Sequence, residues 1–388
     1  MTAQSDPYAH RPRRHILPEQ LPDPYETRSV SNPPKVVPRP DGALLQLPDG
    51  FIAREVAANL ERPRAMILAP NGDLFLSEPG ADRVSVHRDT SGDGVFDLHW
   101  VYVEDLHLPF GLAFIEGWLY IGNTTSLVRL PYAPGQTTSA VRPEKLLDLP
   151  GRGHWTRDVL YNEQERKLYI SVGSGSNIGE AAPRRAVILR CDIDGRNVEV
   201  FASGLRNPVG MAREPATGAL WTVVNERDGM GDDLVPDYAT SVKRGGFYGW
   251  PYSYIGRNPM PGYAHKRPDL VALALVPEVL FESHSAALGI AFYTGDRFPA
   301  HFRGGAFVTF HGSWNRSRRT GYQVVYLPFN SDGSAKGYYE PFLEGWRDTP
   351  SEKTVWGRPV SLLVDRDGSL LVSDDGNHKI WRVTYVGD

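Results

Sequence analysis

Apolar positions along this chain come in short runs, each introduced by a turn, and the phrase returns six times. It reads Asn71-Gly-Asp-Leu-Phe-Leu-Ser-Glu78, Glu116-Gly-Trp-Leu-Tyr-Ile-Gly-Asn123, Glu165-Arg-Lys-Leu-Tyr-Ile-Ser-Val172, Thr217-Gly-Ala-Leu-Trp-Thr-Val-Val224, Arg303-Gly-Gly-Ala-Phe-Val-Thr-Phe310 and Asp367-Gly-Ser-Leu-Leu-Val-Ser-Asp374. A second apolar strand precedes each phrase. Glycine in a turn beside such a run is the signature of a hairpin, because it supplies the positive φ that a tight turn needs. With Gly72, Gly117, Arg166, Gly218, Gly304 and Gly368 as markers, the intervals are 45, 49, 52, 86 and 64 residues. The first three are close to the period of about 40 to 50 residues known for propeller blades, so the repeat predicts an all-β, six-bladed β-propeller. The last two intervals are too long for one blade and predict inserted loops, the longest opened by Asn225 to Asp233. An open sheet edge invites unwanted pairing, so the ring must close. The runs Phe51 to Ala57 and Lys379 to Tyr385 are the expected closing pair. No sustained helical periodicity is present, which argues against a Rossmann or barrel enzyme with flanking helices. Residues 1–48, rich in proline and charge, are expected to form an extended N-terminal arm, wrapped on the propeller or partly disordered, with the propeller in 49–388.

Composition changes this picture little. One closed propeller and an arm account for 388 residues, and 39 glycines with 32 prolines suit a turn-rich β protein. A net charge of −4 with dispersed arginines gives no footprint for nucleic acid or an anionic membrane. No stretch approaches the length of a transmembrane helix. Cys191 stands alone, which excludes an intrachain disulfide and any paired-cysteine metal or haem motif. No signal peptide is visible near Met1, so cytoplasmic residence and an export signal lying outside this sequence both stay open.

In a propeller the residues just before each innermost strand converge at one mouth of the channel. Aligning the repeats puts Arg62, His154 and Arg358 at matching positions, with Arg206 close by. Buried guanidinium groups need anionic partners to offset their desolvation, so the cluster predicts a multiply anionic ligand. The bland alternative pairs each arginine with an acid of a neighbouring blade. His154, among the arginines, is suited to accept a proton from a substrate hydroxyl. The stretch Asn225-Glu-Arg-Asp-Gly-Met-Gly-Asp-Asp233 combines carboxylates with a glycine-containing loop, which suits Ca²⁺, or is a solvated turn. Asp89-Thr-Ser-Gly-Asp-Gly-Val-Phe-Asp97 also looks like a calcium loop but lacks the terminal bidentate Glu, and is read as a surface turn.

Taken in order, Gly153-His-Trp-Thr-Arg157, Gly204-Leu-Arg-Asn-Pro208, Asn225 to Asp233, Gly245-Gly-Phe-Tyr-Gly-Trp-Pro251, His284-Ser-Ala-Ala-Leu-Gly289, His311-Gly-Ser-Trp-Asn-Arg316 and Gly357-Arg-Pro-Val360 resemble the soluble quinoprotein sugar dehydrogenases, the glucose and sorbosone dehydrogenase family, and the sorbosone branch in particular. The resemblance implies a propeller that carries pyrroloquinoline quinone (PQQ), a tricarboxylate, and Ca²⁺ at the channel mouth. It implies His154 as general base and Arg206 as the group polarising the quinone carbonyl. Asp158 is a possible orienter of His154, since relatives that oxidise glucose hold an Asp where this chain has Ser174. Cofactor contacts then fall to Arg62, Arg157, Arg206, Asn207, Arg227, Arg316 and Arg358, and the metal to Asp228 and Gly229. A sugar or polyol would be oxidised and electrons passed to an external cytochrome or quinone. A periplasmic or secreted location goes with the family. Two rivals stand beside this reading: a calcium-dependent lactonase or other hydrolase on the same fold, and a non-catalytic binding propeller.

Overall fold

The structure is a computed structural model that describes residues 6–347 and 353–387. Among the described residues the strands form six four-stranded antiparallel sheets, each a blade. Blade 1 runs Met66–Leu68, Leu74–Glu78, Arg83–Arg88 and Leu98–Val103, and blade 2 runs Leu112–Ile115, Trp118–Asn123, Ser126–Pro131 and Glu144–Asp148. Blade 3 is Val159–Asn162, Lys167–Val172, Val187–Asp192 and Glu199–Ser203, and blade 4 is Pro208–Arg213, Leu220–Val224, Tyr238–Ser241 and Val279–Leu280. Ala287–Phe292, Ala306–Phe310, Gln323–Leu327 and Glu340–Leu343 make blade 5. Blade 6 joins the two ends of the propeller: Pro359–Val364, Leu370–Asp374 and Lys379–Tyr385 are completed by Phe51–Ala57, with Phe51 opposite Tyr385. The first strand of every blade touches that of the next, so the ring is closed.

The burial pattern explains why the repeat shows in the sequence. Second strands such as Leu74–Glu78, Leu220–Val224 and Leu370–Asp374 are buried along their whole length, as a strand sandwiched between two blades must be. Outer strands such as Leu98–Val103 and Glu144–Asp148 are more exposed than the second strands. Between blades 1 and 2 the Phe75, Tyr102, Phe114 and Tyr132 rings meet with centroids 4.6 to 6.2 Å apart. Each such aromatic pair contributes about 0.5–1.5 kcal/mol beyond its buried area. All six turn markers take positive φ, from 51° at Arg166 to 98° at Gly72, so the turn persists even where the repeat lacks glycine.

The extra length of blade 4 is not where the sequence reading put it. Residues 225–237 are the loop between the second and third strands; the insertion is 242–278, with the hairpin Ser253–Tyr254/Asn258–Pro259 and the helix Pro268–Leu273. The fourth strand, Val279–Leu280, is too short to leave a pattern. The Asp89 to Asp97 stretch is a turn closed on itself: Asp89 accepts the Gly92 and Gly94 N–H groups, and Asp97 accepts the N–H and the hydroxyl of Thr90. No described helix is long and apolar enough to cross a membrane.

Strand direction alternates within a blade, so the entry to each first strand and the exit from each second strand share one face. Below that face the first strands enclose a narrow cavity of about 240 Å³, lined in turn by Met66, Leu112, Val159, Met211, Ile290 and Leu362.

Candidate active site

At the mouth, loops of blades 3, 4 and 5 form a polar cavity of about 200 Å³ bordered by His154, Arg206, Asn207, Asn225, Glu226, Asp228, Asp237, His284, Trp314 and Asn315. His154 enters from the loop before the first strand of blade 3. Its Nδ1 lies 3.0 Å from the Ser174 carbonyl oxygen and 3.1 Å from Ser174 Oγ. A carbonyl only accepts, so Nδ1 carries the proton and donates it, leaving the Nε2 lone pair without a hydrogen bond among the described residues. Burial, with the Arg206 guanidinium beside it, pushes the imidazole down to about 4. Gly173 makes this approach possible: a Cβ there would fall 2.3 Å from Asn207 Oδ1 and 2.6 Å from His154 Cβ.

Arg206 is buried and held on three sides. It donates to the Asn177 carbonyl (3.0 Å), Asn177 Oδ1 (2.9 Å), the Asn225 carbonyl (3.2 Å) and Asp228 Oδ2 (3.2 Å). Asn315 Nδ2 donates to Asp228 Oδ1 at 2.6 Å and to His284 Nδ1 at 3.1 Å, while His284 Nε2 donates to the Gly231 carbonyl at 2.9 Å. Burial would raise the Asp228 carboxyl, but His284, Arg206 and Asn315 hold it below its ordinary value. Burial lifts Glu226 to about 8 and Asp237 to about 6. Asn207 Oδ1 is buried with no partner, an orphaned acceptor at a cavity wall.

A second polar cluster occupies the blade 5, 6 and 1 sector of the same face. Asp375 accepts Arg64 Nη2 at 2.5 Å and His311 Nε2 at 2.7 Å. Arg358 donates to the His311 and Gly312 carbonyls, both at 3.1 Å. Trp155, next to His154, bridges the sectors: its ring centre is 5.2 Å from the Arg64 guanidinium carbon and 5.8 Å from that of Arg62.

Several residues singled out by the sequence lie elsewhere than expected. Asp158 does not orient His154: its carboxylate accepts the Val159 and Met211 N–H groups and ties blade 3 to blade 4 beneath the mouth. Arg157 is buried but spent on backbone, donating to the His154, Thr156 and Pro150 carbonyls, because it closes the loop that carries His154. Arg62 is exposed, and Arg64 takes the interior position assigned to it, because the chain reverses at Arg62 with φ 57°. The Arg227 guanidinium turns away from the cavity to Met260 Sδ, 3.0 Å away. Arg316 pairs with Asp233 at 2.5 Å. Gly229 is exposed, with a carbonyl that accepts no hydrogen bond among the described residues, and the Asp228 carbonyl accepts Asn177 Nδ2 at 2.9 Å. Sequence reasoning missed Asp237, His284 and Asn315 as cavity residues, and Asn177 as the partner that holds Arg206 and Asp228. The signal available was position, since all but His284 sit on loops that follow a second strand.

The family model described as TrAA12-like matches residues 45–243 and 272–386. An uncharacterised protein of Borreliella burgdorferi is 28% identical over 357 residues, covering 88% of this chain and 91% of the relative. A pyrroloquinoline quinone-dependent pyranose dehydrogenase of Coprinopsis cinerea is 24% identical over 87% of this chain, which spans only 54% of that relative's length. Among solved structures, the calcium structure of a Trichoderma reesei carbohydrate-active enzyme of family AA12 superimposes with a TM-score of 0.77 at 20% identity, covering 90% of this chain and 98% of that one.

Proposed function

Because the chain belongs to the TrAA12-like family, we propose that it is a quinoprotein sugar dehydrogenase, which oxidises the hydroxyl or hemiacetal carbon of a sugar or polyol and passes two electrons to an external cytochrome or quinone. The observation that carries this reading is the His154 Nε2 lone pair at the cavity wall beside the fixed Arg206 guanidinium. The residues present fit PQQ and Ca²⁺: Arg206 and the orphaned Asn207 Oδ1 offer a cation and an acceptor in the cavity, and Arg358, with Arg64 beside it, offers positive charge across the mouth. Asp228 and the free carbonyl of Gly229 supply hard oxygens suited to calcium. Bound there, PQQ would accept the hydride and Ca²⁺ would polarise it.

The chain itself does the proton chemistry and the positioning. His154 Nε2 removes the hydroxyl proton as the carbinol C–H bond breaks, a contribution of about 10² to 10⁴ in rate. The Ser174 carbonyl, bonded to Nδ1–H, keeps the ring in the productive tautomer and supports the imidazolium that forms. Ser174 thus serves through its backbone, without the carboxylate that relatives oxidising glucose place there. Arg206 is pre-oriented by its bonds to Asn177, Asn225 and Asp228, so its charge needs no reorganisation when negative charge develops. Arg358 holds a carboxylate of the cofactor. A periplasmic or secreted setting accords with the reading.

The test is spectroscopic. PQQ and Ca²⁺ are added to the purified protein, the bound quinone is recorded, and aldoses follow. Bleaching on sugar addition supports a dehydrogenase. Quinone bound without bleaching by any sugar or polyol favours a binding propeller, and no binding sinks the reading in favour of a calcium-dependent hydrolase.

A further inference from the structure

Apart from the last two residues, the family match leaves out residues 1–44 and 244–271, and the described part of the first meets the second beside the candidate site. Ile16 and Leu21 of the arm pack on the apolar cluster that contains Tyr254, Ile255 and Met260 of the insertion. From there the arm crosses the loops of blades 4, 5 and 6 in turn. Tyr25 N–H donates to the Met230 carbonyl at 3.0 Å, Thr27 Oγ1 accepts Asp232 N–H at 2.7 Å, and Ser29 Oγ accepts Gly231 N–H at 3.0 Å. Asn32 N–H donates to the Trp314 carbonyl at 2.7 Å, and its Nδ2 to the Arg316 carbonyl at 2.9 Å. Lys35–Val36 then pairs in parallel with Thr354–Val355.

These bonds are not scattered along the surface. They fall on the two loops that deliver Asp228 and Asn315 to the cavity, and the loops are also bonded to each other, Ser317 N–H donating to Asp232 Oδ1 at 3.0 Å. The connection to the cavity is short. Thr27 and Ser29 fix the peptide groups on either side of Gly231; the Gly231 carbonyl takes the His284 Nε2 proton; the opposite nitrogen of His284 meets Asn315, which holds Asp228 against Arg206. Gly231 has no room to drift, since a Cβ there would fall 2.7 Å from Thr27 Oγ1. Side chains earlier in the arm bond elsewhere, Tyr8 to the Asp49 carbonyl and Arg11 to that of Pro341, so the preference for these loops belongs to residues 25–32.

We propose that residues 25–37 are an intramolecular strap, and that Thr27, Ser29 and Asn32 are positioning residues for the cavity although none of them borders it. Loop order is the direct consequence; weaker cofactor binding on loss of the strap rests on the dehydrogenase reading above. The experiment uses the full chain carrying Thr27→Val, Ser29→Ala and Asn32→Ala together, with Arg14→Ala as a control on an arm side chain that pairs instead with Glu282. Amide hydrogen exchange is read by peptide, alongside urea unfolding and PQQ titration in Ca²⁺. The expected result is exchange at least about tenfold faster in 228–233 and 314–317 with the blade strands unchanged, and quinone affinity about 10- to 100-fold weaker, the usual size of effects from groups that orient ligands. Restoring Thr27 and Ser29 as serines should recover most of both, and Arg14→Ala should show neither. Wild-type exchange in these loops overturns the proposal, as does faster exchange with unchanged quinone affinity. A wild-type protein that takes up no quinone defeats the dehydrogenase reading alone, and exchange then decides the strap.

Discussion

Two histidines on one face of the propeller show how different two sectors of the same mouth are. His154 and His311 are both pushed down to about 4, first by burial and then by a neighbouring arginine, Arg206 for one and Arg358 for the other. Their proton positions differ. His154 gives its Nδ1–H to a backbone carbonyl and leaves Nε2 at the cavity, whereas His311 turns Nε2–H to the Asp375 carboxylate. Around His154 the asparagines and carboxylates border open space, and Asn207 Oδ1 lacks a partner. Around His311 the acid is neutralised from two sides: burial would raise the Asp375 carboxyl, but Arg64 and His311 drive it far below its ordinary range. Residue type and shift are the same in both; what separates them is that His154 borders the polar cavity beside Arg206, whereas His311 is bonded to a carboxylate already paired with Arg64.

The largest expected effect tests that contrast directly. With PQQ loaded and its occupancy checked, stopped-flow bleaching by sugar should slow about 10²- to 10⁴-fold in His154→Ala, while His311→Ala should bleach at a rate near wild type. Equal slowing in both variants would erase the distinction between the sectors.

Arg64→Met should cost about 3–5 kcal/mol in chemical denaturation, because it strips the buried Asp375 of its closest cation. The double variant with Asp375→Asn should recover much of that loss. A single variant as stable as wild type would show that the cluster is not the charge-balanced unit described here.

Arg206→Ala and Arg358→Ala should each weaken PQQ binding by roughly one to two powers of ten, the size of a lost charge-assisted contact. Arg157→Lys, which keeps a donor at the backbone carbonyls, should leave affinity nearly unchanged. Titration of the apoprotein separates these cases, and an unchanged affinity in Arg358→Ala would confine the cofactor to the His154 sector.

The smallest effect is on pH. His154 must be unprotonated to act, and its folded value near 4 keeps it so; the acid limb of kcat/KM should therefore fall near pH 4 and not near 6.5. Arg206 depresses that value, so Arg206→Gln should move the limb to higher pH. Both histidines bind protons more readily in the unfolded chain between about pH 6.5 and 4, so each lowers stability as pH falls through that window, and a glutamine at either position should flatten the slope.

Much of the fold was legible because the second strand of each blade is buried and carries a run of apolar residues just after its turn, so Leu74–Glu78 and Leu370–Asp374 announce themselves at any distance along the chain. The closing pair was readable from its place at the two ends of the repeats, because a ring must pair its edges, and the turns because positive φ favours glycine. The short fourth strand of blade 4 was not, since two residues carry no period. His154 and Arg206 could be placed from position alone, as both lie on a loop that leads into a first strand. The arginines beyond them could not. The repeat alignment singles out Arg62, yet with φ 57° at that residue its side chain is exposed and it is Arg64, two residues on, that is buried. Arg157 and Arg206 carry the same guanidinium, but one is consumed by its own loop.

The sequence by itself determined the ring, the face on which loops gather and the charged residues delivered there, because those follow from local periodicity and turn chemistry. Only the tertiary structure decided which of those charges cancel one another, which nitrogen of His154 is left bare, and that an arm from the far end of the chain ties down the loops of the site. Hydrogen-bond satisfaction is a property of atoms brought together from distant positions, and residue order along the chain does not encode which partner arrives first.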